Sequence, residues 1–328
     1  MGKNKGVSTL FTHEKKPKKG LFAIEWIILG YLVLTTLFIF FAYVKLQNPE
    51  SMLWGRFRVV AIMAAMWLIY RLVPCRLTRL ARIVAQMALL SWWYPDTYEM
   101  NRILPNLDHL AATMEQGLFG CHPSLLFSQK CPWFIFSELM NMGYTAYFPM
   151  IATVTMFYFF FRYDQFMRAT FIILASFFVY YVIFIFLPVV GPQYYYPAVG
   201  MDQIAAGVFP NLHDYFLTMR EALATPGDPS GVFYQMVVDA HAAGERPTAA
   251  FPSSHVGVST ILMLLAWQTR NRRFFWVMMV FYVLLCLSTV YIYAHYAIDV
   301  IAGWISALLL FPVLHYGYQR YISSSERV

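Results

Sequence analysis

Apolar residues run in long unbroken blocks, at about 22–44, 53–73, 138–161, 168–188, 255–269, 274–294 and 299–319. Most approach or reach the roughly 20 residues a helix needs to cross a bilayer core. Polar residues gather between them, so the pattern predicts membrane-crossing helices joined by polar segments. The charges between blocks test the count. Lys3, Lys5, Lys15, Lys16, Lys18 and Lys19 precede the first block, and Arg71, Arg76, Arg79 and Arg82 follow the second. Arg162 and Arg168 flank one short loop; Arg270, Arg272 and Arg273 fill another. The positive-inside rule puts all of these groups on the cytoplasmic face, and seven crossings cannot do so. An eighth, weaker crossing at roughly 77–95, through the run from Ile83 to Trp93, restores the parity. An interfacial helix over the same stretch is the alternative. The expected fold is all-α: a polytopic integral membrane helical bundle of about eight crossings (six to eight), with both termini cytoplasmic.

Composition agrees. The 328 residues are 59% hydrophobic and only 12% charged, whereas a soluble domain carries about twice that charged fraction. The 19% of aromatic residues suits helices with interfacial Trp and Tyr belts. A net charge of +7 needs no nucleic-acid partner, because the lysines before the first block explain it as a cytoplasmic tail. The first block is too long for a signal-peptide core and lacks a small-residue cleavage pattern, so it reads as an anchor. The chain divides into a basic tail, 1–20, and a membrane domain, 21–328, with no repeat and no second soluble domain.

Two longer polar regions then fall on the outer side, at about 96–137 and 189–254, both suited to short amphipathic helices over the membrane face. The first holds Asp108, His109, Glu115, Cys121 and Cys131. Of the four cysteines these two share an outer loop, where a disulfide would persist; a bridge and two free thiols both remain open. The cysteine spacing has no metal-site partner, so no zinc is expected. The second region opens with Gly191-Pro192-Gln193-Tyr194-Tyr195-Tyr196-Pro197. That segment reads either as an interfacial aromatic belt or as a wall for a lipid headgroup, with Gln193 and Tyr194 as hydrogen-bond partners. Glu138 and Asn141 can face the same cavity or serve as helix-terminus residues.

The chemistry concentrates between Arg246 and Asp299. His255 opens one apolar block and His295 closes the next, so an inward helix and its return bring both imidazoles to one membrane level. Ionisable groups at such positions point to function. Asp299 follows His295 by one helical turn on the same face, placed to hold its ring in one tautomer while the other nitrogen attacks. His255 has the position of a general acid. The Pro252-Ser253-Ser254-His255 turn offers a helix N-terminus to an anion, and Arg246 a guanidinium. Taken singly, each feature has a plainer reading: a packing histidine, a structural His–Asp bond, an N-cap. Their joint placement favours a site.

These residues resemble the type 2 phosphatidic acid phosphatase superfamily. Phe251-Pro252-Ser253-Ser254-His255 is similar to its Pro-Ser-Gly-His motif, and Ser288, His295 and Asp299 fit Ser-Arg-x5-His-x3-Asp with the same spacing. The flavour is nearest the branch of inositol phosphorylceramide synthases. The resemblance implies a phosphohistidine mechanism: His295 attacks phosphorus, Asp299 orients it, His255 protonates the leaving group, and Ser253, Ser254, Ser288 and Arg246 contact phosphate, with no metal and no cofactor. Thr289 stands where the family usually has Arg, and Ser254 where it has Gly. Of the Lys-x6-Arg-Pro motif only Arg246-Pro247 matches, with Asp239 in place of Lys. Fewer cations than in a simple phosphatase favour a lipid headgroup transferase. A lipid phosphate phosphatase is the first alternative, and a non-catalytic transporter or scaffold the second, although no paired halves of a transporter are visible. Membrane lipids are the implied substrates. The expected location is a bacterial inner membrane with the site facing the periplasm, or the lumenal face in a eukaryote.

Overall fold

The computed structural model describes residues 10–244, 246–322 and Glu326. Among them no strand forms, only an isolated bridge between His13 and Cys75. Three helices open the chain's bundle: α1 (Ala23–Ala42), α2 (Pro49–Leu72) and α3 (Arg76–Ala88). Next come α4 (Leu90–Asn101), α5 (Asp108–Phe119), α6 (Pro123–Lys130), α7 (Phe134–Thr145), α8 (Tyr147–Phe161) and α9 (Tyr163–Phe186). After α9 follow the short α10 (Pro192–Val199), α11 (Met201–Ala205) and α12 (Val232–Gly244), then α13 (Ser254–Gln268), α14 (Arg272–Tyr291) and α15 (Ala297–Gly317).

Five helices are long and apolar enough to cross a membrane, six if the bent pair α7–α8 is one span. Large apolar side chains such as Phe41, Leu37, Ile305, Leu309 and Val313 stand exposed on them, the surface an integral membrane protein turns to lipid. The 138–161 block is therefore not one straight helix. Its two halves meet at 48°, three residues before Pro149, whose ring removes an N–H and crowds the carbonyl of Thr145. α13 is only 15 residues long and lies buried against α8, α9, α14 and α15.

Most of α9 is buried, and it forms the centre on which α1, α4, α8, α13 and α15 pack. The stretch expected as a weak crossing, 77–95, falls in the pair α3–α4, which is not among the helices long and apolar enough to cross a membrane. At one end Arg79 Nε donates to Glu14 at 2.8 Å, and Tyr163, first residue of α9, donates to the same carboxylate at 3.0 Å. At the other, the Asn101 amide donates to the Phe184 carbonyl near the end of α9. The pair thus runs the length of α9. Its buried charges are paired: Arg79 with Glu14, Arg82 with Glu25, and Asp96 with Arg56 at 2.8 Å. Breaking a buried pair of this kind costs about 3–5 kcal/mol.

The end that holds residues 10–22 also holds Arg71, Arg162, Arg270 and the close of α15, where Glu326 takes hydrogen bonds from Lys18 and Tyr318. At the opposite end the short helices α5, α6, α10, α11 and α12 form a cap over the openings of α13 and α15. α6 stands between Cys121 and Cys131, and its eight residues span about 12 Å, beyond the reach of a disulfide. All four cysteines are free, so the bridge allowed by the sequence is not made.

Candidate active site

Two backbone junctions build the site. At the first, Ser253 caps α13, its hydroxyl accepting from Val256 N at 3.3 Å, which places His255 in the first turn. At the second, α14 ends at Tyr291 and the chain folds back, His295 N donating to Thr289 O at 3.0 Å. Tyr293 adopts φ +68° in that turn. α15 then starts under a capping interaction, with Asp299 Oδ2 accepting from Tyr296 N at 2.8 Å. The junctions are tied together by Ser253 N donating to Asp299 O at 3.0 Å. Gly303 permits this closeness: a Cβ there would sit 2.7 Å from the Ser253 carbonyl oxygen.

His295 is 3% exposed. Its Nδ1 lies 2.8 Å from Ala250 O and 3.6 Å from Asp299 Oδ2. A carbonyl only accepts, so the neutral ring carries its proton on Nδ1, leaving a lone pair on Nε2. That Nε2 faces His255 Nδ1 at 3.4 Å. The His255 ring is held between Tyr144 and Tyr147, with centroids at 4.9 and 4.4 Å. Asp299 is fully buried behind the pair, and its Oδ1 makes no hydrogen bond.

Both imidazoles open on a cavity of about 30 Å³ whose wall includes Tyr144, Gln193, Tyr194, Arg246, Thr248 and Ser254. Gln193 Nε2 lies 3.2 Å from His241 Nδ1 on α12. Gln193 Oε1 and Thr248 Oγ1 are buried in the wall without a hydrogen bond to protein. A larger hollow of about 460 Å³ lies elsewhere, lined by Phe157, Phe160, Phe161, Phe274 and other uncharged residues; it has no ionisable group. Among the described residues no group of three or more His, Cys, Asp or Glu side chains is arranged to hold a metal.

Of the residues expected at the site, the structure brings together His255, His295, Asp299, Ser254, Arg246, Gln193 and Tyr194. Ser253 and Ser288 stand apart. The Ser253 hydroxyl is spent on its helix cap, and Ser288 Oγ donates at 2.8 Å to Leu285 O inside α14. Glu138 takes the helix-terminus reading, at the start of α12, whereas Asn141, inside α7, holds a loop. Glu138 accepts from Phe233 N and Tyr234 N at the start of α12, and Asn141 donates to Pro226 O at 3.3 Å.

Sequence reading missed Ala250, His241 and the two tyrosines around His255. A backbone carbonyl has no sequence signature. His241 did carry one: it is a titratable group in the same outer region as Gln193.

Behind the histidines lies a second buried acidic layer from α5. Asp108 accepts from Val190 N, Gly191 N, Asn106 Nδ2 and Tyr296 OH at 2.6–3.0 Å. Burial nevertheless raises its carboxyl to about 6. Glu115 accepts from Ala297 N at 2.6 Å. Burial first, and then the Asp299 charge, push it up to about 8.

Residues 108–313, more than half of the chain, match the profile of the PAP2 superfamily. The matched region begins at the first residue of α5 and ends in α15, so it encloses both histidines, Asp299 and the cap. The chain belongs to the PAP2 superfamily, a group of phosphatases and phosphotransferases acting on lipid phosphates. Comparison with curated proteins and with solved structures gives no significant match.

Proposed function

We propose that the protein transfers a phosphoryl or phospho-headgroup from a lipid donor through a phosphohistidine on His295. The observation that carries this is the tautomer set by the Ala250 carbonyl, which turns the lone pair of His295 Nε2 toward the cavity and His255. In the first step Nε2 attacks phosphorus, a P–N bond forms and the P–O bond to the leaving alcohol breaks. The leaving oxygen takes the proton from His255. In the second step the acceptor hydroxyl gives its proton back to His255 and attacks phosphorus, and the P–N bond breaks. Asp299 stabilises the positive charge that builds on His295, and Arg246 pairs with phosphate oxygens.

The acceptor is an alcohol on a lipid, in the manner of inositol phosphorylceramide synthases, and two wall atoms favour this. Gln193 Oε1 can only accept, and Thr248 Oγ1 is a hydroxyl; a substrate hydroxyl satisfies both, whereas phosphate oxygens leave the Gln193 oxygen unpaired. Eight crossings, counting α3–α4, α7–α8 and α13 as one each, leave both termini and the basic tail, 1–20, on the cytoplasmic side. The site then faces the periplasm or a lumen.

The test uses purified protein in lipid with phosphate-labelled phosphatidic acid, polyprenyl pyrophosphate and phosphatidylinositol, with and without ceramide, and His295→Ala as control. Label moving into a new lipid only when an acceptor is present, and only with His295, is the expected result. Free phosphate that requires His295 makes the protein a phosphatase. Label transfer that persists in His295→Ala removes the phosphohistidine.

A further inference from the structure

The two groups that face His295 Nδ1 are the Ala250 carbonyl and Asp299, and each leads back to one carboxylate of α5. Ala250 N donates to Val189 O at 3.0 Å, and the next two residues along, Val190 and Gly191, donate their N–H groups to Asp108 at 2.7 and 2.8 Å. Gly191, at φ +91°, could not be replaced there: a Cβ would lie 2.8 Å from Ala294 O. On the other side, Asp299 holds Tyr296 N, and Glu115 takes the adjacent N–H, from Ala297. Asp108 also accepts from the Tyr296 hydroxyl at 3.0 Å, so it reaches both sides of the ring. Asp108 and Glu115 are two turns apart, on one face of α5, and both are fully buried. Neither touches the cavity.

We propose that Asp108 and Glu115 are positioning residues of the phosphotransfer site, with α5 acting as a brace that fixes the Ala250 carbonyl and the Asp299 carboxylate around the His295 ring. This rests on the function proposed above for His295. A carboxyl group suits the task because its oxygens, both of Asp108 and Oε2 of Glu115, accept from backbone N–H groups that would otherwise be buried and unpaired. A helix suits it because the two carboxylates keep a fixed separation, about 10 Å along the axis. Loosening either anchor frees the ring, and a misplacement of about 1 Å at a reacting atom costs up to about 10²-fold in rate.

The variants are Glu115→Ala, Glu115→Gln and Asp108→Asn in the full-length protein. Two readouts are taken. One is the kcat and KM of lipid phosphotransfer. The other is the rate at which diethyl pyrocarbonate modifies His295, read by peptide mass and normalised to the exposed His213. The amide introduced by Glu115→Gln still offers an oxygen to Ala297 N, so this variant should keep kcat and His295 protection near wild type. Glu115→Ala should lower kcat with KM little changed and speed His295 modification several-fold. Asp108→Asn, which puts a donor against one of the two backbone N–H groups, should do the same. If Glu115→Ala does not fold, Asp108→Asn and Glu115→Gln still decide. Unchanged His295 modification and kcat in Asp108→Asn would overturn the brace. So would a loss in Glu115→Gln as deep as in Glu115→Ala. If the wild type transfers no phosphate from any donor, the functional reading fails while the modification rates still judge the brace.

Discussion

His295 Nδ1 stands closer to the carbonyl of Ala250, at 2.8 Å, than to the carboxylate of Asp299, at 3.6 Å. The tautomer of the attacking histidine is thus set by backbone, and Asp299 is left mainly with charge stabilisation and the cap of α15. Where a carboxylate alone controls the tautomer, its conversion to an amide costs about 10⁴-fold. Here Asp299→Asn should cost about 10²-fold in kcat, a single-interaction loss. Asp299→Ala should cost more and also lose about 1 kcal/mol of helix-cap stability. Single-turnover rates beside thermal midpoints measure both, and a 10⁴-fold loss in a folded Asp299→Asn protein would return tautomer control to the carboxylate.

Gly303 couples packing to chemistry. Its missing Cβ lets α15 approach the Ser253 carbonyl to a distance that a methyl group would shorten to 2.7 Å, with Val256 Cβ at 3.2 Å. Gly303→Ala must push the start of α13, and His255 with it, away from Asp299. The expected result is a loss of about 1–3 kcal/mol of stability together with a fall in activity. Gly117→Ala on α5 meets open space and should leave activity unchanged. Equal behaviour of the two variants would remove the link between that contact and the site.

The long helices were legible because lipid demands long apolar blocks, and α13 was legible because its short apolar run follows Pro252-Ser253-Ser254-His255. The bend at 145–147 was also written in the sequence, in Pro149, but a hydropathy block hides it. Less could be read where a residue's partner is far away in sequence. Arg79 and Arg82 looked like marks of a membrane face, yet they are neutralised inside the bundle by Glu14 and Glu25. Ser288 fitted a motif by spacing, but its rotamer binds its own helix. Asp108 and Glu115 were visible as outer-loop acids without a role, since their partners are backbone N–H groups that come together only when the cap closes on α15.

Arg246 is the cation among the described residues of the cavity wall. A charge-assisted hydrogen bond of this kind is worth about 1.5–3 kcal/mol, so Arg246→Ala should lower kcat/KM by roughly 10- to 100-fold on any phosphate-bearing donor. Arg246→Lys should recover part of that, because the charge returns without the two-pronged fork. Steady-state kinetics in mixed micelles across donor concentrations give the comparison. Wild-type kinetics in Arg246→Ala would mean that phosphate is held by other groups.

Glu115 makes stability depend on pH in a direction opposite to that of a salt-bridged carboxylate. Its carboxyl is raised from 4.5 to about 8, by burial and then by Asp299. The groups around it leave that sign in place: Asp299 on α15 repels its charge, Tyr196 on α10 lies near, and burial lowers the pKa of His122, the residue just before α6, 3.9 Å away. The folded protein therefore holds a proton that the unfolded chain releases between these values. This contribution is complete below about pH 4.5 and is lost as pH rises toward 8, on the order of a few kcal/mol across the window. Asp108, raised from 3.8 to about 6, adds a smaller term of the same sign. Glu115→Gln cannot titrate, so its midpoint should fall less than that of the wild type between pH 5 and pH 8 (the window expected from the linkage relation). Thermal unfolding in detergent at several pH values measures the difference, and parallel curves for the two proteins would show that Glu115 is already ionised in the fold.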